Sequence, residues 1–297
     1  MTGLWSLIKR NSKMFFKDKA MFFTSLITPI ILLVLYATFL AKVYKDSFIS
    51  AFPAGFPVDE GLINGTVGGQ LISSLLAVSC VTVAFCSNLL MVQDKISGAR
   101  RDLTMTPVNV PTLALSYFVS SASVTFIISV TALGAGLIYL AFTGWYLAFT
   151  DVLLLLLDIV LLVLFGTSLS SIISCNLSTN GQSSAVGTIV SAGYGFICGA
   201  YMPISSFSEG LQKVIAFLPG TYGTSLLRNH ALRGVYAEME KQSYPSEVIE
   251  GLKDAIDCNV YFFDSKVSEP VMYLILAGAA VLVTVGYIAV CKLRKTK

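Results

Sequence analysis

The sequence predicts an all-α integral membrane protein, on three observations. Of its 297 residues, 55% are apolar and only 12% are charged, where a soluble globule carries about 25% charged residues. Mean hydropathy is +0.76. The apolar residues gather into six windows, near 20–41, 70–92, 112–141, 151–174, 184–203 and 270–291, each close to the roughly 20 residues that cross a hydrocarbon layer as a helix. The chain therefore reads as a single transmembrane domain, 1–297, of six helices.

Charge fixes the expected orientation. With both termini inside, twelve basic residues fall on the cytoplasmic side: Lys9, Arg10, Lys13, Lys17, Lys19, Lys95, Arg100, Arg101, Lys292, Arg294, Lys295 and Lys297. They face three acids there, Asp18, Asp94 and Asp102, whereas eight basic residues meet twelve acids outside. Basic residues stay in the cytoplasm, so both termini are placed there. The formal charge of +3 then suits an anionic lipid surface and not nucleic acid.

Taken in order, residues 3–19 predict an interfacial amphipathic helix. Leu4, Trp5, Ile8, Phe15 and Phe16 recur at near-helical spacing, while Lys9, Arg10, Lys13 and Lys17 take the other side. The apolar side can sink to the headgroup boundary. Pro29 is expected to kink or weaken the first span, because it removes a backbone hydrogen bond. An outer loop of about 25 residues should follow, broken by Pro53, Gly55, Pro57, Asn64-Gly65 and Gly68-Gly69. Asn64-Gly65-Thr66 also matches a glycosylation sequon, though Asn-Gly is equally a turn signal.

Between the second and third spans the chain must surface, because Asp94, Lys95, Arg100, Arg101 and Asp102 do not sit in hydrocarbon. Residues 93–110 form this segment. A short helix from Asp94 to about Met105 is expected, ended by Pro107 acting on Thr106, with Pro111 opening the third span. A partner on that side could grip it. Thr143-Gly144-Trp145-Tyr146 reads as an interfacial turn, and Asn176 to Gln182 as an uncharged turn on the other side.

Inside the fourth window stands one carboxylate, Asp158, about 10 Å below the outer end at 1.5 Å per residue. It calls for a partner or a wet cavity. A proton-coupled role and a structural carboxylate facing the bundle both fit, and the absence of a Lys, Arg or second acid in the other spans favours the structural role. The fifth span is rich in small residues, with a Gly195-xxx-Gly199 match that suits close helix packing or a dimer contact.

Residues 204–269 should lie outside. Phe207, Leu211, Val214, Ile215 and Leu218 share a helical face that ends at Pro219-Gly220. This run is too short to cross, so a re-entrant hairpin is expected, its second arm running from Thr221 to Arg233 and stopping at Gly234. An acidic lobe follows, with a helix from Ser246 to Ile256 that Ser246 could cap. The six cysteines, Cys80, Cys86, Cys175, Cys198, Cys258 and Cys291, show no CxxC pair and read as buried small hydrophobes. A Cys198–Cys258 bridge has no support from spacing.

Several functions lose ground on these residues. His230 stands alone in the outer loop without ligand spacing to a cysteine or carboxylate, and no HExxH or GxSxG motif occurs, which argues against a metal site and an enzyme. No Gly-Lys dipeptide occurs, so the chain has no P-loop to cradle ATP. A pore or secondary transporter stays open, although the two halves do not repeat each other as such carriers often do.

In order and spacing the whole chain resembles the permease subunits of type-2 ATP-binding cassette exporters. That family shows an amphipathic helix before six spans. It has a charged loop after the second span with Gly and Thr-Pro, here Asp94, Gly98, Arg100, Arg101, Asp102, Thr106 and Pro107. After the fifth span comes Gly-x-x-x-Pro, here Gly199 to Pro203, then Leu-Pro-x-x-Tyr, here Leu218-Pro219-Gly220-Thr221-Tyr222, then Leu227-Arg228 and Gly234. Arg100-Arg101 stand where small and acidic residues are usual, and the lobe after Gly234 is longer than the family minimum, as in drug or antimicrobial-peptide exporters of Gram-positive bacteria. The resemblance implies half of a transporter in a bacterial cell membrane, paired with a second copy or a sister permease. It further implies a separate ATPase that supplies ATP and Mg, gripped through Trp5, Lys9, Arg10, Lys13 and Phe16 of the first helix and the Asp94 to Pro107 segment. A hairpin containing Pro203, Phe207, Leu211, Pro219 and Tyr222 is expected on the same basis. An amphipathic drug, lipid-linked molecule or peptide would suit the apolar spans as cargo.

Overall fold

The computed structural model describes residues 2–50, 59–263 and 265–293. The chain is a bundle of helices: α1 (Thr2–Lys17), α2 (Lys19–Leu35), a π turn (Tyr36–Leu40), α3 (Ala41–Ser50), α4 (Glu60–Ile96), α5 (Ala99–Met105), α6 (Val110–Thr143), α7 (Phe149–Ser174), α8 (Asn180–Ile197), a 3-10 turn (Ile204–Ser206), α9 (Glu209–Ile215), α10 (Pro219–Lys241), α11 (Ser246–Ala255) and α12 (Glu269–Leu293). A two-residue antiparallel hairpin, β1 (Tyr261–Phe262) and β2 (Ser265–Lys266), pairs Tyr261 with Lys266. Among the described residues five helical stretches are long and apolar enough to cross a membrane: Lys19–Asp46, α4, α6, α7 and α12. This is a multi-pass membrane protein. The end of the bundle that carries α1 and α5 is called proximal below, and the end that carries α10 and α11 distal.

α4 is the central post, packed against α2, α6, α7, α8 and α10. Its apolar window is 89% buried, so it has no solvent face and no need of one. Small polar residues make up much of the seam. Asn88 Nδ2 donates to Ser171 Oγ of α7 at 3.1 Å, Cys80 Sγ to Ser129 Oγ of α6 at 3.4 Å, and Ser168 Oγ lies 2.7 Å from Thr284 Oγ1 of α12. Such residues allow close approach and bond across helices where lipid offers no hydrophobic drive between them.

The expected outer loop is mostly helix. The first span runs past Ala41 to Ser50, and α4 begins at Glu60, with Asp59 capping Gly61 N at 3.0 Å. Asn64-Gly65 and Gly68-Gly69 are therefore not breakers. A Cβ on Gly65 would meet the Tyr146 ring at 2.7 Å, and one on Gly69 would meet Leu232 at 2.5 Å. These glycines are contact points at which α4 meets its neighbours. Pro53, Gly55 and Pro57 lie outside the described residues, as do Arg294, Lys295 and Lys297. Pro29 does not end α2, which stays helical through it; the irregularity is the π turn at Tyr36–Leu40.

Two other boundaries differ. α10 continues through Gly234 to Lys241, because the missing side chain admits the Tyr146 carbonyl, which a Cβ would meet at 1.8 Å. Ser246 opens α11 but does not cap it; Pro245 holds that place and no side-chain cap bond forms. None of the six cysteines forms a disulfide, so Cys198 and Cys258 do not pair.

Candidate functional site

The proximal end is built around the junction of α4 and α5. The expected single helix from Asp94 is split: α4 ends at Ile96, Gly98 takes a left-handed conformation at φ +83°, and α5 starts anew at Ala99. Only glycine enters that region without a steric penalty, and no residue of the α5 that follows is fully buried. Arg101, Asp102, Thr106 and Pro107 are exposed, Arg100 is half-buried, and Met105 is 76% exposed. Leu103 is the residue that ties α5 to the core.

Asp94, expected on that exposed surface, is instead buried. Arg10 of α1 donates to it twice, Nη1 to Oδ2 at 2.6 Å and Nη2 to Oδ1 at 3.0 Å, and Tyr117 of α6 donates to Oδ2 at 2.5 Å. The hydrogen bond to Asp94 raises the Arg10 pKa, against the opposing effect of burial. Next to it, Lys95 Nζ donates to the carbonyls of Ser174 at 2.9 Å, Cys175 at 2.7 Å and Leu177 at 2.9 Å, satisfying the last carbonyls of α7. Two adjacent residues thus fasten the root of α5 to α1, α6 and α7.

α1 lies against α6 through Leu7, Asn11 and Phe15, which are buried, with Ser12 Oγ 3.0 Å from Ser120 Oγ. The buried stripe is therefore spaced i, i+4, i+8 and includes an asparagine. Trp5, Lys9, Lys13 and Phe16 face outward, Trp5 at 69% exposure, and remain available to a lipid surface.

Beside this end a groove of about 900 Å³ runs between α2 and α8, with α4 as its floor. Its walls are apolar, from Ile27, Ile31 and Phe39 to Phe196, with Thr28, Ser183 and Thr188 among them. α8 touches α4 alone to any extent, and among its residues only Ser183 and Gly195 are buried. The expected packing role of the Gly195-xxx-Gly199 pair does not hold within this chain. Gly195 makes room for the Tyr201 ring, which a Cβ would meet at 2.2 Å, and Gly199 is a left-handed turn residue at φ +74°.

At the distal end the motif residues build a turn. Pro203 precedes the 3-10 turn, Phe207 follows it half-buried, Leu211 is exposed on α9, and Pro219 opens α10. Tyr222 donates to Ala216 O at 2.6 Å and Thr221 to Ile215 O at 3.1 Å, closing the end of α9. Arg228 is fully buried; it donates to Asp257 Oδ2 at 3.0 Å and to the Gly199 carbonyl, and the same carboxylate oxygen accepts from Ile204 N at 2.8 Å. This ties α8, α10 and the lobe together. Burial, offset by Arg228, raises the Asp257 pKa.

Asp158 has the partner it called for, and His230 overturns an expectation. His230 is not an exposed loop residue but is buried in α10, and its Nδ1 lies 2.6 Å from Asp158 Oδ2 of α7. Tyr273 of α12 donates to Asp158 Oδ1 at 2.7 Å. No spacing in the sequence links residues 158, 230 and 273, and the same holds for Arg10 and Asp94. Lys95 and Met105 were legible only as members of a polar loop.

A mostly helical, multi-pass bundle with an exposed proximal helix and a lateral apolar groove suits a membrane transport component. Over residues 2–231 the chain matches the family described as ABC-2 type transporter, and it belongs to that family. No curated protein matches it.

Proposed function

We propose that the chain is the permease subunit of an ATP-driven exporter, forming half of the pathway and driven by a separate ATPase that holds ATP and Mg. The observation that carries this reading is the junction at Gly98. α5 is presented to solvent, yet its root is bonded to α1, α6 and α7 by Arg10, Asp94, Tyr117 and Lys95. A push on α5 is therefore passed to a rigid set of helices, while α2 and α8 flank a groove they do not close. Rigid-body shifts of this kind are a common means of switching. In this reading the proximal end and both termini are cytoplasmic, α8 completes six spans in a bacterial cell membrane, and α9 with α10 forms the re-entrant hairpin. A second copy or a sister permease covers the groove, which suits an amphipathic drug, lipid-linked molecule or peptide.

The test is purification of the chain from its native host in mild detergent, with identification of co-eluting proteins by mass spectrometry. An ATP-binding cassette ATPase is expected with the wild type and lost with Arg100→Glu, Arg101→Glu. No ATPase, under conditions that keep other such complexes intact, would move an ATP-independent pore or secondary transporter to the front.

A further inference from the structure

We propose that His230, Asp158 and Tyr273 form a proton-binding site near the distal end that holds α10 against α7 and α12. Each residue comes from a different helix. His230 Nδ1 and Asp158 Oδ2 are 2.6 Å apart, Tyr273 donates to Asp158 Oδ1 at 2.7 Å, and the imidazole and phenol rings stack at 6.3 Å with 28° between planes. Both carboxylate oxygens are thereby occupied, and His230 and Asp158 are buried. With Nε2 of His230 protonated, one further proton on the Nδ1–Oδ2 bond leaves the pair with no net charge, whichever of the two atoms carries it. That is the state a buried, water-poor site favours.

Tyr273 is the most exposed of the three residues, being half-buried, and Glu269, one turn earlier on α12, is exposed. The other groups around the pair are already engaged or neutral. On α10, Arg228 binds Asp257 and Arg233 lies 3.7 Å from Asp151 of α7. On α4, the Cys80 thiol donates to Ser129. Glu269 is a further acid whose charge acts on both His230 and Asp158.

Linkage gives the consequence and its sign. If α10 lifts, the imidazole and carboxylate return to water with ordinary values of about 6.5 and 3.9. Above pH 6.5 the freed pair holds no proton while the seated pair holds one, so seating takes up a proton. Each pH unit then weakens seating about tenfold, until the seated pair itself gives up its proton. Between about pH 3.9 and 6.5 both states hold one proton and seating is flat. External acidity would thus steady the distal end and alkalinity loosen it.

The chain contains one histidine, which makes the test direct. Protein labelled with nitrogen-15 at histidine is placed in lipid nanodiscs and titrated from pH 5 to 9, and thermal unfolding is followed over the same range. The expected result is a ring titration whose midpoint Asp158→Asn moves by at least one pH unit, a tenfold change in proton affinity, and Tyr273→Phe moves by less. Thermal stability of the wild type should fall from pH 6.5 to 8.5, and that fall should vanish in Asp158→Asn, His230→Gln, which keeps hydrogen-bonding groups without the shared proton. A wild-type ring that does not titrate in this range would overturn the proposal without recourse to any variant. So would a midpoint unmoved by both Asp158→Asn and Tyr273→Phe.

Discussion

Replacing Arg10 with alanine should destabilise the proximal end more than neutralising its partner Asp94. Their exposures differ: the Asp94 side chain is 3% exposed and that of Arg10 is 29%. Arg10→Ala strands a buried carboxylate with only Tyr117 to hold it, and breaking a buried pair in this way costs about 3–5 kcal/mol. Asp94→Asn keeps an acceptor for Arg10 or Tyr117 and lets the guanidinium turn to water, losing about 1–2 kcal/mol. Adding Asp94→Asn to Arg10→Ala removes the stranded charge, so the double variant should recover about 2 kcal/mol of the single loss. Five of the six cysteines are buried and none is in a disulfide, so a fluorogenic thiol reagent reports unfolding in detergent. At about 2–4 °C per kcal/mol, Arg10→Ala should lower the midpoint by at least about 6 °C, with faster tryptic cleavage after Lys13 and Lys17. Additive losses, or an Asp94→Asn variant worse than Arg10→Ala, would refute the reasoning.

Three further outcomes are expected. Lys95→Met removes the shared donor from three carbonyls at and just beyond the end of α7, and hydrogen exchange over residues 172–178 should quicken, with little change at the distal end. Gly234→Ala drives a Cβ into the Tyr146 carbonyl; overpacking of this kind costs about 1–3 kcal/mol, so folded yield should drop, while Gly251→Ala, in open space on α11, leaves it unchanged. The lobe should also lose stability in acid: the hydrogen bond from Lys266 is the leading cause that lowers the Glu250 pKa. A lowered carboxylate value contributes stability above the unfolded value of about 4.3 that is lost as pH falls through the folded one. Proteolysis of the lobe should therefore accelerate below about pH 4, and Glu250→Gln should remove that acid response.

Hydropathy made five long apolar helices legible among its six windows, and it placed the charged loop after the second. Charge and proline content could not tell where within that loop the bundle stops. Asp94 and Lys95 look like the rest of a polar stretch, yet both point back into the protein, because α4 runs on to Ile96 before Gly98 turns the chain. Glycine misled at the other end for a physical reason. A turn reading suits Gly65, Gly69 and Gly234 by composition, but within the bundle they mark close contact, and each sits under a neighbouring side chain or carbonyl. The His230–Asp158–Tyr273 cluster was invisible because three helices far apart in sequence supply it.

The most direct test of the coupling account is a photoreactive amino acid at Met105, the exposed apolar residue at the end of α5, with irradiation in the native membrane. The account predicts a covalent adduct with an ATP-binding cassette ATPase from Met105, and none from position 94, which is buried beneath Arg10 and Tyr117. Adducts confined to lipid or to a protein that binds no nucleotide, or an ATPase captured equally from both positions, would contradict it.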